Sequence, residues 1–253
     1  MPLAFRPGQP RWMDLLSRDP DRAVDFYTRL FGWEAETAPP EFGGYVTFSN
    51  GGKAVGGLMS NPADSGVDDC WTVYLDVADA AATGEAAGAN GGRLLELEQL
   101  ADMGIWLVLT DVTGARVGGW QNYSHSGFEV VTGAGAPVWA ELHARDYAKA
   151  VAFYETVFDW QTAVLSDDDE MRYTTLGEGA DAVAGIFDAA DDLAEIEPSF
   201  WDVYFGVANA NETAVRVTEL GGVMLERVAD SPYGRQAHAV DPTGAKFAIL
   251  QVD

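Results

Sequence analysis

The residues best suited to chemistry lie on one short segment, Trp139 to Arg145, with the sequence WAELHAR. Glu141 and His143 are two positions apart, and alternate residues of a β-strand point to the same face of a sheet. A carboxylate beside an imidazole could act as a general base and its partner, chelate a metal jointly, or form a structural ion pair. The sequence leaves these three alternatives open.

Strand alternation predicts which other side chains share a face with this pair. Trp139 lies on the same face, whereas Ala140, Leu142 and Ala144 form a small apolar face that fits beneath a helix. A tryptophan on the polar face of a strand is either a core residue at the sheet edge or, as we favour, a stacking wall. We predict Glu141 and His143 as catalytic residues, and as substrate-binding residues Trp12, Asp14, Thr72, Tyr74, Trp139, Asp202 and Tyr204. Each half would thereby hold a small molecule in a cleft with aromatic walls.

These segments belong to an internal repeat. Ten residues, from Trp12 to Trp33, recur 127 positions later, and thirteen residues, from Trp71 to Gln121, recur 130 positions later. Duplication of a whole domain explains this spacing. We predict a first domain at residues 1–131, a linker rich in glycine and alanine at 132–137, and a second domain at 138–253.

Each half divides again by its secondary-structure signals. Asp19 is a suitable helix N-cap followed by Pro20, and Asp79 precedes an alanine-rich segment. The order of strand, helix and several strands occurs four times. The sequence therefore predicts an α+β protein of four βαβββ modules, paired into two homologous domains. Helices are expected near Pro20–Leu30, Ala80–Ala89, Ala148–Phe158 and Ala210–Leu220.

The equivalent positions of the two halves differ in chemistry. Asp14 corresponds to Glu141, Leu16 to His143 and Thr72 to Asp202. The later half gains a longer carboxylate, an imidazole and a further carboxylate. Only that half could readily move protons near neutral pH, so we predict that any chemistry resides there.

Composition narrows the choice of partners and compartment. The formal charge is −25, from 40 acidic and 15 basic residues, and such a charge disfavours nucleic acid and anionic membranes. The acidity could instead steer a cationic ligand or serve solubility. The absence of a long apolar run or a leader-like start predicts a soluble, cytoplasmic protein. The single cysteine, Cys70, excludes an intrachain disulfide and is expected to be a buried, inert thiol.

Two other histidines need an interpretation. We expect His125 to be an exposed loop residue between Ser124 and Ser126. His238, in the strand before the final turn, could either be packed or reach the cleft.

The segment WAELHARDYAKAVAFYETVFDW, followed later by DPTGAKFAILQ, resembles the start and end of a vicinal oxygen chelate domain. WMDLLSRDPDRAVDFYTRLFGW and DVTGARVGGWQ resemble the same pattern in the first half. This superfamily contains glyoxalases, bleomycin resistance proteins and extradiol dioxygenases. The tandem arrangement is similar to actinobacterial glyoxalase-like proteins that are labelled hydroxylases.

The resemblance implies where metal ligands would stand. Family metal enzymes place histidine at the positions of Trp12 and Trp139, and glutamate at those of Gly118 and Ala248. At the comparable positions of the second modules, Thr72 is a poor ligand and Asp202 a suitable one. We therefore predict no metal at the usual site and no cofactor. A divalent metal held by Glu141, His143 and Asp202 is the alternative.

Two classes of function follow from the resemblance. One is a glyoxalase-type enzyme, a lyase, isomerase or hydroxylase-like catalyst, in which Glu141 takes a proton, His143 orients it or donates, and Tyr204 and Asp202 hold the substrate. The other is a protein that sequesters an antibiotic or metabolite between aromatic walls. Oligomeric state stays open, because the tandem supplies internally the module pairing that shorter relatives obtain by dimerising.

Overall fold

The computed structural model of this protein describes residues 3–39, 43–168, 171–194 and 197–252. Its helices are α1 (Pro20–Phe31), α2 (Ala80–Ala89), α3 (Tyr147–Val157) and α4 (Ala210–Glu219). The strands of the first half are β1 (Pro10–Ser17), β2 (Glu34–Thr37), β3 (Val46–Asn50), β4 (Lys53–Ser60), β5 (Cys70–Asp76), β6 (Arg93–Leu100), β7 (Gly104–Thr110) and β8 (Arg116–Asn122). Those of the second half are β9 (Pro137–Ala144), β10 (Thr162–Asp167), β11 (Arg172–Leu176), β12 (Ala184–Asp188), β13 (Phe200–Val207), β14 (Val223–Met224), β15 (Ala229–Ser231), β16 (Gly234–Val240) and β17 (Lys246–Gln251).

Capping side chains fix where the helices begin. Side-chain oxygens of Asp19, Asp79 and Asp146 each accept a hydrogen bond from the backbone N–H three residues later. The Asn209 side chain accepts from the backbone N–H groups two and three residues later. A side-chain acceptor at this position satisfies an N–H that lacks a partner within the helix. The four helices therefore start within one residue of the predicted positions.

Two sheets repeat one strand order. The first runs β2-β3-β4-β1-β5-β8-β7-β6, and the second runs β10-β11-β12-β9-β13-β17-β16-β14, with β15 paired to β16. In each module the first strand pairs in parallel with the last, as β1 does with β4 and β13 with β17. This arrangement confirms the four βαβββ modules and the α+β class.

By its packing the chain also divides into two compact units. One consists of Met1–Trp12, Val73–Gly127 and Ala140–Trp201, and the other of Met13–Thr72, Phe128–Trp139 and Asp202–Asp253. Within the first unit α2 contacts α3, and within the second α1 contacts α4. Each unit thus contains one helix from each half of the repeat.

A buried polar network holds each unit together. In the first, the Tyr154 hydroxyl donates to Asp111 (3.0 Å) and accepts from the Trp201 indole N–H (2.8 Å). In the second, Tyr27 bonds Asp241 and Trp71 in the same way. Burial, and then the neighbouring carboxylate, raise the pKa of both tyrosines, so each hydroxyl stays a neutral donor. Asp111 and Asp241 are each the first residue of an Asp-x-Thr-Gly turn, which occurs once in each half of the repeat.

The apolar strand faces lie under the helices as alternation predicts. Ala140, Leu142 and Ala144 of β9 are buried, while Glu141 and His143 between them retain partial exposure. Gln121 lies in β8, the strand that pairs with β5. Its side chain accepts a hydrogen bond from the first backbone N–H of α2, which places the start of that helix beside these strands. No helix within the described part of the chain is long and apolar enough to cross a membrane.

Two expectations were wrong. His125 is not an exposed loop residue: it is partly buried, and its ring meets Trp12 edge-on at 4.7 Å and Trp120 at 5.4 Å. An imidazole between two indoles has more apolar contact there than in solvent. Cys70 is half-buried rather than buried, because it opens β5 at the edge of the core.

Candidate active site

Glu141 and His143 form a close pair on β9. His143 Nε2 lies 3.1 Å from Glu141 Oε1, and both side chains are largely buried. The Tyr173 hydroxyl, from β11, donates a hydrogen bond to the other carboxylate oxygen of Glu141. The His143 ring stacks on Phe200, with centroids 4.8 Å apart and planes within 4°. The structure therefore brings the two predicted catalytic residues together and fixes the orientation of each.

A glycine makes room for the tyrosine in this arrangement. Gly185 of β12 lies opposite Glu141, and a Cβ atom there would come within 2.1 Å of the Tyr173 hydroxyl oxygen. The first half repeats the contact, since Tyr45 donates to Asp14 across Gly57. The tyrosines and glycines recur 128 positions apart. This recurrence is the sequence signal for Tyr173, which was absent from the predicted site; its contact with Glu141 is visible only in the structure.

His238 is the centre of a second group, formed with Asp202, Tyr204 and Glu226. Its Nδ1 atom lies 2.6 Å from Glu226 Oε1, which also accepts from the His238 backbone N–H at 3.1 Å. Its Nε2 atom lies 3.2 Å from the Tyr204 hydroxyl and 3.5 Å from Asp202 Oδ2. We call these four residues the His238 network. The structure places His238, partly buried, against two of the predicted binding residues, Tyr204 and Asp202.

Strand register explains why these side chains meet. Tyr204 of β13 and His238 of β16 both lie opposite Ala248 of β17. Alternate residues share a face, so both side chains point to the same side of the sheet. In the first half Tyr74 and Val108 lie opposite Gly118 in the same register.

The first half therefore lacks the imidazole of this network. Val108 stands where the second half has His238, and Thr72 where it has Asp202, while Glu96 matches Glu226. The 130-residue spacing gave a signal for Glu226, which recurs from Glu96, but none for His238, whose equivalent is Val108. Neither was chosen, since their contact depends on the pairing of β14, β16 and the segment between them.

The remaining predicted binding residues lie in different surroundings. Trp12, Asp14, Thr72 and Tyr74 are buried, as are Asp202 and Tyr204, whereas Trp139 is only partly buried. Asp14 accepts from Tyr45 rather than facing open solvent. Trp12 packs against His125, with ring centroids 4.7 Å apart.

A further grouping concerns metal. His143, Asp202 and His238 each offer a ligand atom, and these atoms lie within 4.8 Å of one another. Two imidazoles and one carboxylate are a donor set that suits divalent iron, manganese or zinc. Of these three residues, only Asp202 stands at a position where the resemblance implied a metal ligand. The residues present therefore fit a divalent transition metal by their chemistry.

The protein is a member of the glyoxalase/bleomycin resistance protein/dioxygenase superfamily, whose family model matches residues 10–113 and 136–249. Each match coincides with one half of the repeat. The chain is 33% identical, over 98% of its length and 96% of the relative, to a protein of Mycobacterium tuberculosis named "Putative glyoxylase CFP32". It is 32% identical, over 98% of its length and 94% of the relative, to the anthracycline biosynthesis protein DnrV of Streptomyces peucetius.

Solved structures share the fold at low sequence identity. The 2,3-dioxygenase LapB of Pseudomonas sp. KL28 superposes with a TM-score of 0.67 at 11% identity, covering 98% of this chain and 94% of LapB. The Mn(II)-bound glyoxalase of Novosphingobium aromaticivorans superposes with a TM-score of 0.65 at 15% identity, covering 98% and 83%. At these identities the likeness establishes the fold alone.

Proposed function

We propose that this protein is a glyoxalase-type enzyme that moves a proton on a small, ring-bearing carbonyl compound, a lyase, isomerase or hydroxylase-like catalyst. The observation that carries the proposal is the His238 network, in which a carboxylate, an imidazole and a phenol are joined at 2.6 Å and 3.2 Å. Chains of this kind transfer protons in general acid and base catalysis. The relatives named for anthracycline biosynthesis support a substrate of fused rings with carbonyl groups.

In the proposed mechanism Glu226 sets the tautomer of His238. A carboxylate can only accept, so the proton of the neutral imidazole is assigned to Nδ1. The Nε2 atom then accepts from the Tyr204 hydroxyl. On substrate binding the Tyr204 hydroxyl would turn its one proton from His238 Nε2 to the substrate oxygen, and would take that proton back when the carbonyl re-forms.

Glu141 would take the proton from carbon. Its Oε2 is occupied by the Tyr173 hydroxyl, and its Oε1 faces His143 Nε2 at 3.1 Å. His143, held flat against Phe200, would keep the carboxylate in position before and after the transfer, while Glu141 holds the proton and then returns it. Glu141 would thus act as the base, and the Tyr204 hydroxyl as the acid.

A metal is a second candidate for part of this chemistry, favoured by the grouping of His143, Asp202 and His238. When bound, such an ion polarises a carbonyl oxygen as a Lewis acid. Under this alternative the three residues would serve as ligands, and Glu141 would remain the base. The chain's own residues would still position the substrate and hold the proton.

Glu226 offers a test with a matched control in the other half. The probe is 1-tetralone, a bicyclic ketone, whose exchange of hydrogen for deuterium beside the carbonyl is followed by proton NMR in D₂O. We expect Glu226→Ala to slow the exchange by about tenfold, because the His238 tautomer is no longer fixed. Glu96→Ala, the equivalent change in the first half, should leave the rate within twofold. Equal effects of the two variants would contradict the role of the His238 network.

Metal content tests directly whether His143, Asp202 and His238 hold an ion. Because the positions at Trp12, Gly118, Trp139 and Ala248 lack ligands, we expect the purified protein to hold no stoichiometric zinc, iron, manganese or nickel after dialysis. Elemental analysis of wild type and of His238→Val decides this. One metal per chain in the wild type that disappears in His238→Val would replace this expectation with the metal candidate.

A further inference from the structure

One buried donor in the first half has no acceptor. The indole Nε1 of Trp106, on β7, is shielded from solvent and has no hydrogen-bond partner among the described residues. Leaving a buried N–H unsatisfied destabilises a protein, because the group loses its hydrogen bonds to water and gains none in return. Native structures rarely retain such a group unless something else binds it.

One aromatic ring contacts Trp106, and a second lies opposite it in the sheet. Tyr74 lies beside Trp106, with ring centroids 6.3 Å apart. Its ring covers Gly118, where a Cβ atom would come within 2.2 Å of it. Trp120 lies opposite Trp106 in the register of β7 and β8, and its ring covers Gly104. The glycines let both rings lie close against the sheet, which gives an apolar floor beside the Trp106 indole.

Trp120 is fixed in place by its own hydrogen bond. Its Nε1 donates to the backbone oxygen of His125 at 3.0 Å, and the His125 ring stands edge-on to it. The side chain of Trp12 closes the group from the other side of His125. Trp106, Tyr74, Trp120, Trp12 and His125 form what we call the aromatic cluster.

The equivalent positions of the second half hold different residues. Gln236 stands for Trp106, Leu250 for Trp120 and Ala248 for Gly118. The second half keeps the rings equivalent to Trp12 and Tyr74 but lacks those equivalent to Trp106 and Trp120, and the first half has Val108 where the second has an imidazole. These differences are expected if one half of the repeat is catalytic and the other only binds a ligand.

We propose that the aromatic cluster is a separate, non-catalytic binding site for a planar aromatic ketone, whose carbonyl oxygen accepts from the Trp106 Nε1. Stacking on the rings would supply contact area, and the indole N–H would supply selectivity for the carbonyl. The site is independent of the proton chemistry proposed for the second half.

A matched pair of probes isolates the carbonyl. 9-Fluorenone and fluorene are planar three-ring molecules that differ only in a carbonyl in place of a methylene. We expect equilibrium dialysis to show that Trp106→Phe weakens fluorenone binding by about tenfold and changes fluorene binding less than twofold. Gln236→Leu, at the equivalent position of the second half, should change neither.

Three results would overturn the proposal. These are no measurable binding of fluorenone to the wild type, equal loss of both probes in Trp106→Phe, or loss of fluorenone binding in Gln236→Leu instead. A circular dichroism spectrum identical to wild type establishes that Trp106→Phe is folded. The second-half variant His238→Val must retain fluorenone binding, because it changes the proposed catalytic group only.

Discussion

Replacing His143 by leucine should slow deuterium exchange into 1-tetralone by on the order of a hundredfold. Leucine is the residue that the first half holds at this position, Leu16, so the sheet tolerates it. The variant removes the imidazole that lies 3.1 Å from the proposed base, Glu141, and leaves the Tyr173 contact in place. Binding of the ketone should weaken far less than the rate, because Trp139 and Tyr204 still supply contact area.

The control is Leu16→Val, a change of similar size at the equivalent position of the first half. It should leave the exchange rate unaltered. If His143→Leu retained the wild-type rate while Asp14→Ala lost it, the chemistry would belong to the first half and the assignment would be wrong.

The largest expected effect on stability comes from Asp111. Its carboxylate accepts from the Thr113 and Ala115 backbone N–H groups and from the Tyr154 hydroxyl, and it is 3% exposed. Asp111→Ala leaves these buried donors without an acceptor, which we expect to cost about 3 kcal/mol. In a chain of this size that corresponds to a fall in melting temperature of roughly 10 °C.

Asp111→Asn provides the comparison, since it keeps one acceptor oxygen for the turn. Its melting temperature should lie between those of the wild type and Asp111→Ala. Thermal unfolding followed by circular dichroism measures all three. A melting temperature of Asp111→Ala within 2 °C of wild type would show that the network contributes little.

Local signals account for what the sequence predicted of the fold. Asp19, Asp79 and Asp146 cap helices through contacts within three residues, and strand alternation separated Glu141 and His143 from the buried face of β9. Such features depend on neighbours along the chain. Because equivalent residues recur in the two halves, an element predicted in one half is also predicted in the other.

Contacts between distant strands could not be predicted in this way. His238 meets Tyr204 because two strands pair with β17, and Tyr173 reaches Glu141 only through the register of β11, β12 and β9. His125 follows the last strand of its module, and its position between two indoles depends on how that segment turns back. Register and loop path are tertiary properties that composition and periodicity do not specify.

The central claim is that proton chemistry resides in the second half. It is tested by a variant that gives the second half the residues of the first at three positions: His143→Leu, Asp202→Thr and His238→Val. Exchange of deuterium into 1-tetralone is measured for this variant and for the wild type, with folding verified by circular dichroism. The account predicts that the folded variant exchanges no faster than buffer. A folded variant that retains the wild-type rate would contradict it.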